Sequence, residues 1–420
     1  MKKVLFISYF WPPSGKASLH WPLDIIRHLP KDEIEPIILT VEEESFTQKD
    51  ASLLIKVDPD WKIIKSKALE PFNIYRIFTG KKKGEKLSSS ETISLENKSL
   101  AHKISLWIRL NLFIPDARIG WNFTAIKAAK GYIKENKIDA VASIGPPHSS
   151  HLIGLKLSKI FSIPHIPVFI DPWVDIIYYK NLKRSSITKK IDNHFEKSVL
   201  QNARQVVFVT KSMEEDYQKK YSFIKNKSNV LYWGYDEDDF RDLKIEKVKK
   251  DEKVIVHAGN MFAYQNPKNF WTQVKTENEK GNRFKIKFIG SVDKEILDYL
   301  NEIGLNNQID LAGFLPFPEM IKQILKADLL LVCSSEPRHV PGKLFEALRT
   351  RNPIIAFGNK NEEVKKIIED AGAGMMFGYN ETGKDALQNL DKIKPVQTYV
   401  KRFERAEISK EFYSILKRSF

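Results

Sequence analysis

The sequence predicts an α/β protein of two doubly wound domains, and three features predict it. Short runs of β-branched and apolar residues alternate with turn residues and helix-spaced segments along most of the chain. The runs lack the polar alternation of a half-exposed sheet, which marks strands covered on both faces and hence parallel sheets. The alternation breaks at the charged stretch 236–253 (DEDDFRDLKIEKVKKDEK) and then resumes, so the chain carries two such domains joined by a linker.

Taken in order, the first domain (1–235) has strand runs at Val4–Ser8, Pro36–Thr40, Ala140–Ile144, Val168–Asp171, Val206–Thr210 and Val230–Trp233. Val4–Ser8 reads as a buried strand, not a signal peptide, because its apolar run is short and ends in Trp-Pro-Pro without a small-residue cleavage site. Residues 80–103, rich in Lys, Ser and Glu, read as an irregular insertion. The second domain (254–399) repeats the pattern at Val254–Gly259, Phe284–Gly290, Ile309–Phe314, Leu329–Ser334, Pro353–Phe357 and Gly374–Phe377. Residues 400–420 carry Phe403, Ile408, Phe412, Ile415 and Leu416 at helical spacing with no strand after them.

A chain of 420 residues can bury two cores without staples. Its single cysteine, Cys333, forbids an intrachain disulfide and suits a cytoplasmic setting. No apolar run reaches the ~18 residues of a membrane span. Lys and Arg total 68 against 53 Asp and Glu, a net charge of +15, which favours anionic partners. Such an excess suits nucleic acid, an acidic lipid surface, a phosphorylated substrate or a plain solvated surface. His102–Pro115 (HKISLWIRLNLFIP) mixes Lys103 and Arg109 with Leu106, Trp107, Ile108, Leu110 and Phe113. It suits either a lipid interface or a core helix.

Doubly wound sheets bind ligands beyond the carboxyl ends of their strands, so the residues there are the candidates. After the first strand, Gly15 permits close backbone approach and offers an N–H to an anion. After Ala140–Ile144, His148 is placed to hydrogen-bond a sugar hydroxyl or a phosphate, with His151 its helical neighbour. After Val254–Gly259, Gly259 gives a tight turn and Lys268 a mobile positive charge. The most informative stretch is 335–353 (SEPRHVPGKLFEALRTRNP). Pro341 and Gly342 suit a helix start, whose free amides and dipole bind anions. Lys343 and Glu346, three apart, share one face of that helix. No metal site is expected. Asp58-Pro59-Asp60 reads as a turn, and no Cys/His cluster has zinc spacing. The Gly372-Ala373-Gly374 triplet is incomplete and also reads as a turn.

The segments FWPPSGKAS, FIPDARIGW, IGPPHSSHLIGLKL, VFIDPW, VLYWGYDEDDF, FIGSV, LAGFLPFPEM and VPGKLFEAL run nearly end to end. In that order the chain resembles glycosyltransferase family 4 and its GT-B relatives of bacterial surface polysaccharide and lipopolysaccharide synthesis. The resemblance implies two facing Rossmann-like domains, with a C-terminal helix crossing back to the first. It implies a nucleotide-diphosphate-sugar donor in the second domain, a glycan or lipid-linked acceptor at the first, and retaining transfer with no metal or other cofactor. It narrows the partners expected of the basic charge to a phosphorylated small molecule and an anionic membrane surface, with no nucleic acid.

Carried over by residue, it implies Glu346 on the ribose and Gly342 and Lys343 at the diphosphate. Phe314 and Leu315 would contact the base, and Gly15 would approach phosphate and acceptor. Two positions depart from the family. Arg338 stands where a glutamate usually recognises the sugar. Gln265 stands where an arginine is frequent, leaving Lys268, Lys343 or Arg338 to serve the diphosphate. A nucleotide-sugar epimerase or hydrolase on the same fold, and a non-catalytic polyanion-binding homologue, stay open at this point.

Overall fold

The computed structural model describes residues 1–69, 100–176, 182, 184–241, 243, 251–334 and 336–420. Most of the insertion expected at 80–103 lies outside them. The chain divides into one unit of Met1–Tyr232 with Ile408–Phe420, and a second of Trp233–Glu407.

In the first unit, β1 (Lys2–Ile7), α1 (His20–Arg27), β2 (Ile34–Val41) and β3 (Lys62–Ser66) come first. Then follow α2 (Leu100–Leu112), α3 (Trp121–Glu135), β4 (Ala140–Gly145), α4 (Ser149–Phe161) and β5 (His165–Phe169). The run closes with α5 (Ser186–Asn202), β6 (Val206–Phe208), α6 (Lys211–Lys220) and β7 (Ser228–Val230). The sheet order is β3-β2-β1-β4-β5-β6-β7, and every pairing is parallel. The continuous apolar runs cause this. Leu5, Ile7, Leu39 and Val141 are buried against Trp121, Ala125, Ala129, Ile153 and Leu157. Each such aliphatic side chain contributes about 1.5–3 kcal/mol on burial. Ala125 and Ala129, one helical turn apart, let α3 approach the sheet closely.

The second unit holds β8 (Glu252–Ala258), α7 (Lys268–Glu279), β9 (Arg283–Ile289), α8 (Lys294–Glu302), β10 (Ile309–Gly313) and α9 (Phe317–Lys326). It continues with β11 (Leu329–Cys333), α10 (Lys343–Thr350), β12 (Ile354–Phe357), α11 (Glu362–Asp370), β13 (Gly374–Phe377), α12 (Lys384–Gln388) and α13 (Gln397–Lys401). Its parallel sheet runs β10-β9-β8-β11-β12-β13. The last helix, α14 (Arg405–Lys417), starts in the second unit and ends in the first. There Phe412 packs against Phe6 and Trp21, and Ser409 Oγ donates to Ile25 O at 2.7 Å.

Three sequence expectations change. Strand β3 was not anticipated: its KIIKS sequence is short and lysine-flanked, as suits an edge strand, where charge blocks further pairing. The last strand of the first unit ends at Val230, not at Trp233. The stretch expected as a linker is not free at its start. Glu237 pairs with Arg349, and Phe240 is buried with the Arg349 guanidinium 4.9 Å from its ring centre, within the second unit.

Candidate functional site

The strand order of the second unit reverses between β8 and β11, and a ligand crevice opens at such a reversal. Both strands end there in residues with chemistry. After β8 the chain turns at Gly259 with φ +135°, a conformation that favours glycine. A Cβ on Gly259 would fall 2.1 Å from Lys343 Nζ, so the ammonium lies directly over the bare α-carbon. Lys343 opens α10. Desolvation pulls its pKa down and Glu346 opposes that, but the side chain is exposed and the shift carries little stability.

The start of α10 is open to an anion. The cap residue Gly342 supplies no side-chain hydrogen bond, and the Trp233 indole lies where a Cβ would be, 2.9 Å from Nε1. The amides of Leu344 and Phe345 donate to Pro341 O and Gly342 O at 3.0 Å. Those of Gly342 and Lys343 have no acceptor among the described residues. Two free N–H groups, the positive end of the helix dipole and one ammonium together make a site for negative oxygens.

One turn further on, Glu346 is 7% exposed and its Oε2 has no hydrogen-bond partner among the described residues. Burial pushes its pKa up to about 7, while Arg405 and Lys343 pull it down and Asp239 pushes it up. The Arg405 guanidinium, which also donates to Trp233 O and Gly234 O at 3.2 Å, offsets only part of the rise that burial causes. A buried acceptor left unpaired costs about 1–3 kcal/mol, which donors such as ribose hydroxyls would return.

The loop from β11 to α10 is clamped by polar side chains. Ser334 Oγ faces Glu336 O and His339 O at 3.0 Å. Asn361, whose Oδ1 caps α11 at the Val364 amide, turns its Nδ2 to Ser334 Oγ, Glu336 O and His339 O at 2.8 Å. Tyr379 donates to Ser334 O at 2.8 Å. Arg338 is exposed on this fixed loop.

Gln265 is a buried strut: its amide donates to Cys333 O at 3.1 Å and its Oε1 accepts from the Phe262 amide at 3.1 Å. Lys268 has a local environment at the start of α7, 3.9 Å from Glu295 and 5.3 Å from the Tyr299 ring centre. The geometry thus gathers Gly259, Pro341, Gly342, Lys343 and Glu346 and directs Lys268 toward α8. Phe314 follows β10 and is 84% exposed, with Leu315 partly buried beside it.

The first unit reverses between β1 and β4. Here two expectations are corrected. The Gly15 N–H is not free for an anion: it donates to Gln48 O at 2.9 Å. His148 does not reach outward. It is buried, its Nε2 donates to Pro172 O at 3.2 Å, and its ring stacks on Trp173 at 5.2 Å. Burial pulls its pKa down to about 3, so it is neutral. The helix that follows is capped from a distance, by Asp116, which accepts from Ser149 N and Oγ at 2.9 and 3.0 Å. His151 and His165 are buried on either side of Ser143 Oγ, at 2.8 and 2.7 Å.

The residue sequence reasoning passed over is Asp171. It lies two residues past the end of β5, and burial pushes its carboxyl up to about 6. The loop behind it is rigid: Trp173 N donates to Tyr217 Oη at 2.8 Å, Trp173 Nε1 to Asp192 at 2.7 Å, and Val174 N to Glu196 at 3.1 Å. Its one sequence signal was position, an Asp-Pro at the carboxyl end of an apolar run.

The family model for glycosyl transferases group 1 matches residues 238–406, and that for glycosyltransferase family 4 matches 94–239. The probable glycosyltransferase WbjE of Pseudomonas aeruginosa is 23% identical over 206 residues, covering 46% of this chain and 50% of that protein. The chain thus aligns with half the length of that curated relative. Among solved structures, Anabaena Alr3699/HepE in complex with UDP superposes with a TM-score of 0.64 at 11% identity, over 99% of this chain and 100% of that one. The apo form of the lipopolysaccharide outer core galactosyltransferase WaaB gives 0.60 at 14% identity, over 100% of both chains. These structural likenesses carry the fold, and the two family models carry the lineage. The chain carries a glycosyltransferase family 4 segment followed by a glycosyl transferases group 1 segment, on the GT-B fold.

Proposed function

We propose that this chain transfers a sugar, with retention of anomeric configuration, from a nucleotide-diphosphate-sugar to a glycan or lipid-linked acceptor in surface polysaccharide synthesis. The carrying observation is the start of α10: two free amides and the Lys343 ammonium, followed one turn later by the buried Glu346 carboxylate, whose Oε2 has no hydrogen-bond partner among the described residues. The diphosphate lies on the first set and the ribose on the second. Solved relatives of the same fold hold UDP or UDP-glucose, which supports a nucleotide donor.

The barrier is departure of the nucleoside diphosphate from an oxocarbenium-like sugar. Charge growing on the leaving oxygens meets donors already in place, each typically worth about 3–4 kcal/mol. The acceptor hydroxyl attacks the face the diphosphate leaves, and its proton passes to the departing diphosphate oxygen. Lys343 and the helix start supply the charge stabilisation, so the reaction needs no metal. Turnover that survives EDTA supports this, and turnover abolished by EDTA and restored by a divalent ion contradicts it. A thermal-shift screen against UDP-, GDP-, ADP- and CMP-sugars tests the donor reading: one of them raises Tm, and silence from all four refutes it.

The same reading puts the protein at the inner face of a membrane, in the cytoplasm. None of the described helices is long and apolar enough to cross a bilayer. Helix α2 turns Leu106 and Leu110 inward onto Leu182 and leaves Ile104, Trp107 and Leu112 exposed beside Lys103. Exposed apolar side chains beside a lysine suit an anionic interface. Flotation with phosphatidylglycerol vesicles is expected, and loss of flotation in Trp107→Ser is its check.

A further inference from the structure

We propose that Phe262 and Tyr264 form an aromatic platform for the pyranose ring of the donor; this rests on the donor reading above. The two rings stack 5.7 Å apart at an interplanar angle of 7°. They are 44% and 63% exposed, although stacked apolar rings gain by being covered.

The segment that carries them is held at both ends and in the middle. Met261 is buried, its amide donates to Ser291 O at 2.8 Å, and its carbonyl accepts from Asp293 N at 2.9 Å. Ala263 N donates to Asp293 Oδ2 at 2.7 Å. Gln265 ties the far end to Phe262 N and to Cys333 O at 3.1 Å. Exposed rings on a loop fixed this tightly form a preorganised surface, and preorganisation reduces what a ligand must pay on binding.

Strand order says which part of the donor meets it. Phe314 and Leu315, which the resemblance sets at the base, follow β10 at one edge of the sheet. Gly259 and Lys343 take the diphosphate at β8, two strands in. The platform begins three residues past Gly259, tied by Met261 and Ala263 to the loop after β9 and by Gln265 to the end of β11. The segment thus spans the crevice beside the Gly259 turn, where strand order reverses. The group joined to the diphosphate on the side away from the nucleoside is the sugar, and the rings stand next to the turn that takes the diphosphate. A pyranose offers a C–H face to an aromatic ring. Phe262 and Tyr264 therefore read the apolar face of the hexose, and Arg338 on its clamped loop leaves the carboxylate role unfilled.

The test is calorimetric titration of matched pairs: UDP with UDP-glucose, GDP with GDP-mannose, ADP with ADP-glucose. The wild-type chain is expected to bind one hexose ester more tightly than its diphosphate, by about tenfold, the scale of an aromatic contact. Phe262→Ala and Tyr264→Ala bring that ratio to within about twofold while the diphosphate alone binds as before, and Phe262→Trp restores it. The proposal is overturned if no ester outbinds its diphosphate in the wild type, if the ratio survives both alanines, or if ester and diphosphate weaken together. Failure of every nucleotide to bind is a different result, and it removes the donor reading itself. Both side chains are exposed, so the variants fold, which an unchanged Tm verifies.

Discussion

The two sheets end in loops that handle their polar groups in opposite ways. At the reversal of the first unit, the groups are spent inside the protein: Gly15 on Gln48, His148 on Pro172, Ser149 on Asp116, His151 and His165 on Ser143. The buried atoms left over there, among the described residues, carry no charge: the Ser14 and Ser150 hydroxyls, the Trp11 indole nitrogen and neutral imidazole nitrogens of His148, His151 and His165. At the reversal of the second unit, two amides, an ammonium and a carboxylate oxygen stay unspent. One architecture thus yields a braced wall in one place and a charge-binding cradle in the other. The difference lies in side chains, since strand order and connectivity at the two reversals are alike.

The sharpest way to break the contrast is to fill the cradle. Gly259→Val places side-chain carbon within the Lys343 ammonium and demands an unfavourable φ, so nucleotide-sugar binding is expected to fall about 100-fold or more, read by calorimetry. Lys343→Ala keeps the fold but removes the charge that the proposed mechanism sets against the leaving group. The expected drop in kcat is on the order of 100- to 1000-fold. A smaller effect belongs to the wall. His148→Ala loses the Trp173 stack and the bond to Pro172, and urea unfolding should show about 2–3 kcal/mol less stability. If stability holds while kcat collapses, His148 touches substrate after all and the contrast is wrong.

Glu346 sharpens the contrast through pH. Its folded pKa, about 7, lies above the ordinary 4.5, so the native state holds a proton that the unfolded chain has lost. The stability this confers is present below pH 4.5 and is lost as pH rises through 7. Glu346→Gln escapes that loss. The empty variant is expected to be more stable than the wild type at pH 8, by on the order of 1–3 kcal/mol, and to have no such advantage at pH 5. With nucleotide-sugar bound the order reverses, because ribose hydroxyls stabilise the ionised carboxylate. Melting curves at the two pH values, with and without ligand, check both signs.

Much of this was legible in the sequence where the physics is local. Continuous apolar runs gave both parallel sheets, and the Pro341-Gly342 start with Lys343 and Glu346 at helical spacing was visible without coordinates. What stayed hidden depends on partners far along the chain. His148 looks outward until Pro172 and Trp173, 24 and 25 residues on, fold over it. Gly15 looks free until Gln48 arrives after β2. Asp171 shows no period or motif of its own. Its setting comes from Tyr217, Asp192 and Glu196 on two helices that follow it in sequence. Strand β3 was missed because an edge strand flanked by lysines lacks the apolar run that marked the others.

The central claim is that α10 opens onto a pyrophosphate. A crystal structure of the chain soaked with UDP tests it most directly. The expected density places phosphate oxygens within hydrogen-bond distance of the Gly342 and Lys343 amides and the Lys343 ammonium, and the ribose hydroxyls on the Glu346 carboxylate. UDP bound elsewhere on the chain, with Glu346 still unpartnered, contradicts it.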